Sequence, residues 1–302
     1  MLMRARGPGA GWSWLMEGFT VANRQPRQIL GACLLLILCA AVLVAVQLLT
    51  QWALRPQGFA AIAMFAAFTL AGSILYPILM GGFMGVIDAS RNDRQVRVLM
   101  VFEPFRKGYG GSRLALFGLC MLVIYAAFLA ILLTTVGHGL LSWYLQLLDQ
   151  QALGTPVRSL PPLPGGSSTA LALLTVFFIF YSCAFAIGTG QVALRNQSPL
   201  PALRDGIAGA FKNALPLLVL SVCGLVALLV LAVGFGVLAA ILLVVGALVS
   251  RPLGVVLLVL IYVALAVLLY AFMMGVDYAL WHDVADGSRS NATRSPLPIA
   301  EE

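Results

Sequence analysis

Residues 214–249 read ALPLLVLSVCGLVALLVLAVGFGVLAAILLVVGALV, a run with no charged side chain. Crossing about 30 Å of hydrocarbon takes roughly 20 apolar residues in a helix, and a helix apolar on every face has no side to offer water. Five further stretches meet the same length requirement, so six spans are expected, at about 28–54, 59–87, 114–136, 168–194, 214–249 and 253–281. The whole chain agrees. Of its 302 residues, 61% are hydrophobic and 10% charged, with a mean hydropathy of +1.00. Soluble domains hold about 45–50% apolar and about 25% charged residues. The fold class is therefore all-α, a polytopic transmembrane helix bundle forming one domain over residues 1–286. Residues 287–302 are polar and contain proline, and are expected to be a disordered cytoplasmic tail.

The 214–249 run is the difficult one. At 1.5 Å per residue it measures about 54 Å as one helix. Either it tilts and protrudes, or it breaks at Gly234-Phe235-Gly236. Two full spans would need about 40 residues and would invert the charge distribution downstream, so six spans are retained.

Orientation follows from the cations. With the N-terminus on side one, that side collects Arg4, Arg6, Arg24, Arg27, Arg91, Arg94, Arg97, Arg106, Lys107, Arg113, Arg195, Arg204, Lys212, Arg289 and Arg294. The other side has Arg55, Arg158 and Arg251. Both termini are expected in the cytoplasm, with the first span acting as an uncleaved anchor because no small-residue cleavage site precedes it. The net charge of +7 thus reads as an orientation signal and not as a nucleic-acid footprint. Residues 154–167 read as an extended external loop.

A threefold pattern runs through the chain. Glu17-Gly18-Phe19 leads to Cys33, Glu103-Pro104-Phe105 to Cys120, and Asp205-Gly206-Ile207 to Cys223, at offsets of 16, 17 and 18 residues. Each segment precedes a pair of spans, and the even spans end with a glycine before a polar exit: Gly85 before Asp88, Gly190 before Arg195, Gly275 before Asp277. The expected unit is an interfacial helix followed by a transmembrane hairpin, three times over. Trp12, Leu15, Met16 and Phe19 form an apolar stripe in the first segment. In the third, Ser198 is a candidate N-cap and Pro199 suits the first helical position, ahead of Leu200, Leu203, Ile207 and Phe211. These helices either lie in the headgroup plane with the apolar face down or serve as linkers packed on the bundle.

Gly18-Phe19 followed by Arg24-Gln25-Pro26 and a long Leu-rich span resembles an uncharacterised group of proteobacterial six-helix inner-membrane proteins. The group is distantly similar to the membrane domain attached to some bacterial glycerophosphodiester phosphodiesterases. The resemblance spans roughly residues 11–283. It implies a six-helix architecture in the bacterial inner membrane and no catalytic residue, since the chain holds no phosphodiesterase domain.

Chemistry is sparse. Asp88 and Asp277 fall at the cytoplasmic ends of spans two and six, within expected reach of water, which weighs against a proton-coupled pump. Gln47, Gln51 and Gln191 read as interhelical hydrogen-bonding groups. His138 has no ligand neighbour at helical spacing and His282 has only Asp286, too few for a zinc site, so neither zinc nor any cofactor is expected. All five cysteines fall inside spans, where they act as small packing residues. Gly81 and Gly85 give span two a GxxxG face for close helix packing, and Pro77 should kink it. No nucleophile–base or metal constellation can be assembled, so the expectation is a non-enzymatic protein that handles lipid or supports a membrane complex, as a homo-oligomer or with a membrane-protein partner. Its anionic-headgroup contacts would be Arg24, Arg27, Arg94, Arg97, Arg106, Lys107, Arg113, Arg204 and Lys212, each cation adding about 1 kcal/mol near a charged leaflet. The alternative is a transporter or channel for an uncharged or amphiphilic solute.

Overall fold

A computed structural model describes residues 3–23, 25–56, 58–106, 108, 110–152 and 162–286. Nine α-helices appear among them: α1 (Ala10–Thr20), α2 (Pro26–Leu54), α3 (Phe59–Arg91), α4 (Gly111–Thr134), α5 (His138–Ala152), α6 (Ser167–Arg195), α7 (Pro199–Lys212), α8 (Ala214–Val249) and α9 (Arg251–Trp281). A 3-10 helix, Val98–Phe105, precedes α4, and a π-type turn, His282–Asp286, extends α9. No strand occurs among the described residues. Six helices are long and apolar enough to cross a membrane. This is a multi-pass membrane protein.

Local chemistry explains the boundaries. Pro26, Pro199 and Pro252 sit in the first turn of α2, α7 and α9, where a missing N–H costs nothing. Ser198 occupies the N-cap position of α7 in an extended conformation but makes no side-chain capping bond. α8 runs unbroken through Gly234 and Gly236, so the single-helix alternative holds. Its hairpin with α9 turns at Ser250 and closes because Gly246 and Gly254 face each other; a Cβ on Gly246 would lie 2.7 Å from Gly254 Cα.

α3, α6 and α9 occupy the centre, each packed on the other two. α2 lies beside α9 and α3, α4 beside α3 and α6, and α8 beside α6 and α9. The short elements cap this arrangement at one end. α1 crosses α8 and α9, the 3-10 helix crosses α2 and α3, and α7 crosses α4 and α6. The core concentrates at the same end, around Met80, Phe83 and Ile87 of α3, Ile187 of α6 and Tyr278 of α9. Toward the other end the helices expose Val42, Phe65, Val123, Val230 and Leu260, as lipid-facing surfaces should. In lipid, helices gain little from hiding apolar surface and associate by close packing at small residues. Gly118 of α4 shows this: a Cβ there would sit 2.1 Å from Ser73 O, the acceptor that Pro77 leaves without its helical donor.

Candidate functional site

The capped end carries a polar lock that joins distant parts of the chain. Glu17 of α1 pairs with Arg91 at the end of α3, and the Arg91 guanidinium lies over the Tyr278 ring at 5.1 Å. Tyr278 Oη donates to Asp88 Oδ1 at 3.0 Å, and Arg94 pairs with the other carboxylate oxygen. Asp283 accepts from Trp14 Nε1 at 3.0 Å and pairs with Arg6. Asp88 thus serves a structural network. His282 is exposed beside it, with its ring stacked on Tyr278.

Among the expected headgroup residues, Arg27, Arg94, Arg97, Arg106, Arg113, Arg204 and Lys212 are all exposed at this end. Three are engaged within the protein: Arg94 with Asp88, Arg113 with Asn196 O at 2.7 Å, and Lys212 with Met3 O at 3.3 Å. The guanidinium groups of Arg27, Arg97, Arg106 and Arg204 have no polar partner among the described residues. Arg106 lines a recess of about 460 Å³ with Pro104, Phe105, Gly110 and Ser112. Arg24, Lys107 and the 287–302 tail lie outside the described residues, as does most of the expected external loop.

The capping elements bury one face and expose another. In α1, Gly11, Trp14, Leu15 and Gly18 are buried, while Trp12, Met16 and Phe19 are exposed. In α7, Ala202, Asp205, Gly206, Gly209 and Ala210 are buried, while Leu200, Ile207 and Phe211 are exposed. Arg204 lies on that exposed apolar face, four residues after Leu200. Asp205 instead turns inward and accepts from Gln197 Nε2 at 3.0 Å. On the 3-10 helix, Leu99 and Phe105 are exposed.

The glycine face of α3 needs correction. Gly81 is buried against side chains of α4 and α6: a Cβ would meet Leu114 Cδ1 at 2.7 Å and Ala193 Cβ at 3.2 Å. Gly85 has nothing within 4 Å of the same position, so it is not part of the packing face. The tight approach is at Gly82, where a Cβ would lie 2.0 Å from Val101 O of the 3-10 helix. Gln191 also differs from expectation. It is fully buried, and neither amide atom has a hydrogen-bond partner among the described residues.

The second correction concerns Asp277. It lies six residues before Asp283, hence about 9 Å deeper at 1.5 Å per residue, and is half-buried at the floor of a cleft of about 440 Å³. Thr69, Ser73 and Tyr76 of α3 and Tyr181 and Ser182 of α6 line this cleft with it. Phe178 and Phe185 complete the aromatic wall, with Phe185 stacked on Tyr76 at 5.5 Å. Asp277 has no ion pair or hydrogen bond among the described residues. The three serine and threonine hydroxyls donate within their own helices, to Phe65 O, Thr69 O and Ile179 O.

No group of three or more His, Cys, Asp or Glu that could hold a metal occurs among the described residues. All five cysteines are free thiols. No family model, curated protein or solved structure matches the chain. The architecture and the two sites define a class, a multi-pass helical membrane protein with a basic, capped end and a carboxylate-floored cleft between its spans.

Proposed function

We propose that this is a non-enzymatic inner-membrane protein whose basic end lies at the cytoplasmic leaflet and holds anionic lipid headgroups. The observation that carries the reading is the pairing of unpartnered cations with exposed apolar side chains on the capping elements. Arg204 stands among Leu200, Ile207 and Phe211, and Arg106 beside Phe105. A cation among apolar residues suits the boundary where phosphates meet acyl chains. The chain would be three copies of one unit, an interfacial element followed by a hairpin. Cyclic packing supports this, since each capping element crosses the preceding hairpin and α1 closes the ring on the last. Gly18 and Gly206 support it further. A Cβ on Gly18 would lie 2.9 Å from Phe272 O of α9, and one on Gly206 would lie 2.4 Å from Ala184 O of α6.

The triple variant Arg27→Gln/Arg106→Gln/Arg204→Gln tests the lipid reading. Purified parent protein in non-ionic detergent should retain phosphatidylglycerol several-fold over phosphatidylcholine, and salt should weaken that preference. The variant should lose both the preference and its salt dependence; unchanged retention would leave these charges with orientation alone. Orientation has its own check. A cysteine at Gly165 should react with a membrane-impermeant maleimide in cells with only the outer membrane opened, and one at Asp93 should not. Labelling at Asp93 would reverse the assignment.

A second reading, transport of an amphiphilic solute, draws on the cleft that holds Asp277. Repeat interfaces commonly form central sites in transporters.

A further inference from the structure

We propose that the cleft between α3, α4 and α6 binds a hydrophobic organic cation, an amphiphile with an amine or quaternary ammonium head, seated against Asp277. The inference concerns binding alone, goes beyond both readings above, and does not rest on the basic face.

A carboxylate among membrane-crossing helices is costly unless it meets a cation or strong donors. Asp277 meets neither among the described residues. The cations at the end of α3 are committed elsewhere, Arg91 to Glu17 and Arg94 to Asp88. The serine and threonine hydroxyls of the lining add no donor in compensation. Thr69, Ser73 and Ser182 spend their hydroxyl protons on backbone carbonyls of their own helices, which leaves oxygen lone pairs available. Tyr76 presents nearly half its surface. Aromatic faces from Tyr76, Phe178, Tyr181 and Phe185 complete the wall. Acceptors, ring faces and one carboxylate together favour a cation and disfavour an anion. A volume of about 440 Å³ falls in the range of small-molecule sites, about 300–1,000 Å³. The site lacks a metal's requirements, because Asp277 is a single anionic ligand among neutral oxygens.

The test uses tetraphenylphosphonium and its anionic counterpart of matching shape, tetraphenylborate, by equilibrium dialysis against the full chain in non-ionic detergent. The parent should bind the phosphonium saturably and the borate only as empty micelles do. Asp277→Asn should weaken phosphonium binding at least tenfold while melting at or above the parent temperature, because the amide is cheaper to hold in that position. Glu103→Gln, remote from the cleft, should bind as the parent does. Should the asparagine variant fail to fold, Ser182→Trp fills the cleft and keeps the carboxylate, and it should abolish binding equally. Three results would each overturn the proposal. They are no saturable phosphonium binding by the parent, equal binding of phosphonium and borate, and parent-like binding by Asp277→Asn or by folded Ser182→Trp.

Discussion

Gly82→Ala should abolish recovery of folded protein, whereas Gly85→Ala should leave yield and melting temperature at or slightly above the parent. The two glycines stand three residues apart on α3, and neither has an unusual backbone conformation. Their surroundings differ. A methyl at position 82 would sit 2.0 Å from Val101 O, 2.7 Å from Val101 C and 3.0 Å from its Cα. All three are backbone atoms of a fully buried residue, so no side-chain rotation relieves the overlap. Ordinary overpacking costs about 1–3 kcal/mol; here α3 and the 3-10 helix must separate, and every contact between them is lost. At position 85 the methyl meets nothing within 4 Å and gains up to about 1 kcal/mol of helix propensity. Detergent-solubilised yield and fluorescence melting of both variants check this. A Gly82→Ala protein melting within a degree or two of the parent would mean the 98–105 segment is not seated on α3.

That contrast shows where sequence reasoning stops. Six spans are legible because length and apolarity are local properties set by the bilayer and the helix rise. α8 stayed whole for a related reason. Glycines at 234 and 236 cannot break a helix cheaply where no water is present to take up freed backbone groups. Which glycine packs is not local. Gly81 and Gly85 have the familiar spacing, yet the partner at Gly82 is a 3-10 segment sixteen and more residues downstream, and no periodicity within α3 reveals it. α5 was missed because His138–Ala152 mixes apolar and polar residues and is too short to read as a span. Asp277 was misplaced by counting back from an assumed helix end at residue 281. The chain continues in helical form through Asp286, and the polar plane is set by Asp88, Arg91 and Asp283. The apolar Val284-Ala285 beyond Trp281 was the available signal. The capping elements were legible as amphipathic, but a helix packed on a membrane bundle has two apolar faces, and pattern alone does not say which is buried.

Asn213→Ala should lower the melting temperature by several degrees and free the N-terminal segment. Asn213, at the junction of α7 and α8, is fully buried. Its Oδ1 accepts from Arg6 N at 2.8 Å, and its Nδ2 donates to Arg4 O at 2.9 Å and Gly209 O at 2.8 Å. One side chain therefore satisfies two backbone groups of the N-terminal strap, Arg6 N–H and Arg4 C=O. Arg4 N donates to Val284 O at 3.2 Å on the strap's other side, and Met3 is buried beyond it. Alanine leaves Arg6 N–H and Arg4 C=O without partners, at about 1–3 kcal/mol for each group that water cannot reach. The surroundings are partly buried, so the lower part of that range applies. Loss of the strap also loosens Arg6 from Asp283, and with it the carboxylate that holds Trp14 of α1. Protease cleavage within residues 3–9 should therefore accelerate in parallel with the fall in melting temperature. Asn213→Asp separates geometry from charge. It keeps the acceptor for Arg6 N but opposes a carboxylate to two carbonyl oxygens, so it should destabilise as well, despite its matching size. Parent-like melting and cleavage in both variants would mean that Met3 and the Arg6–Asp283 pair hold the strap unaided.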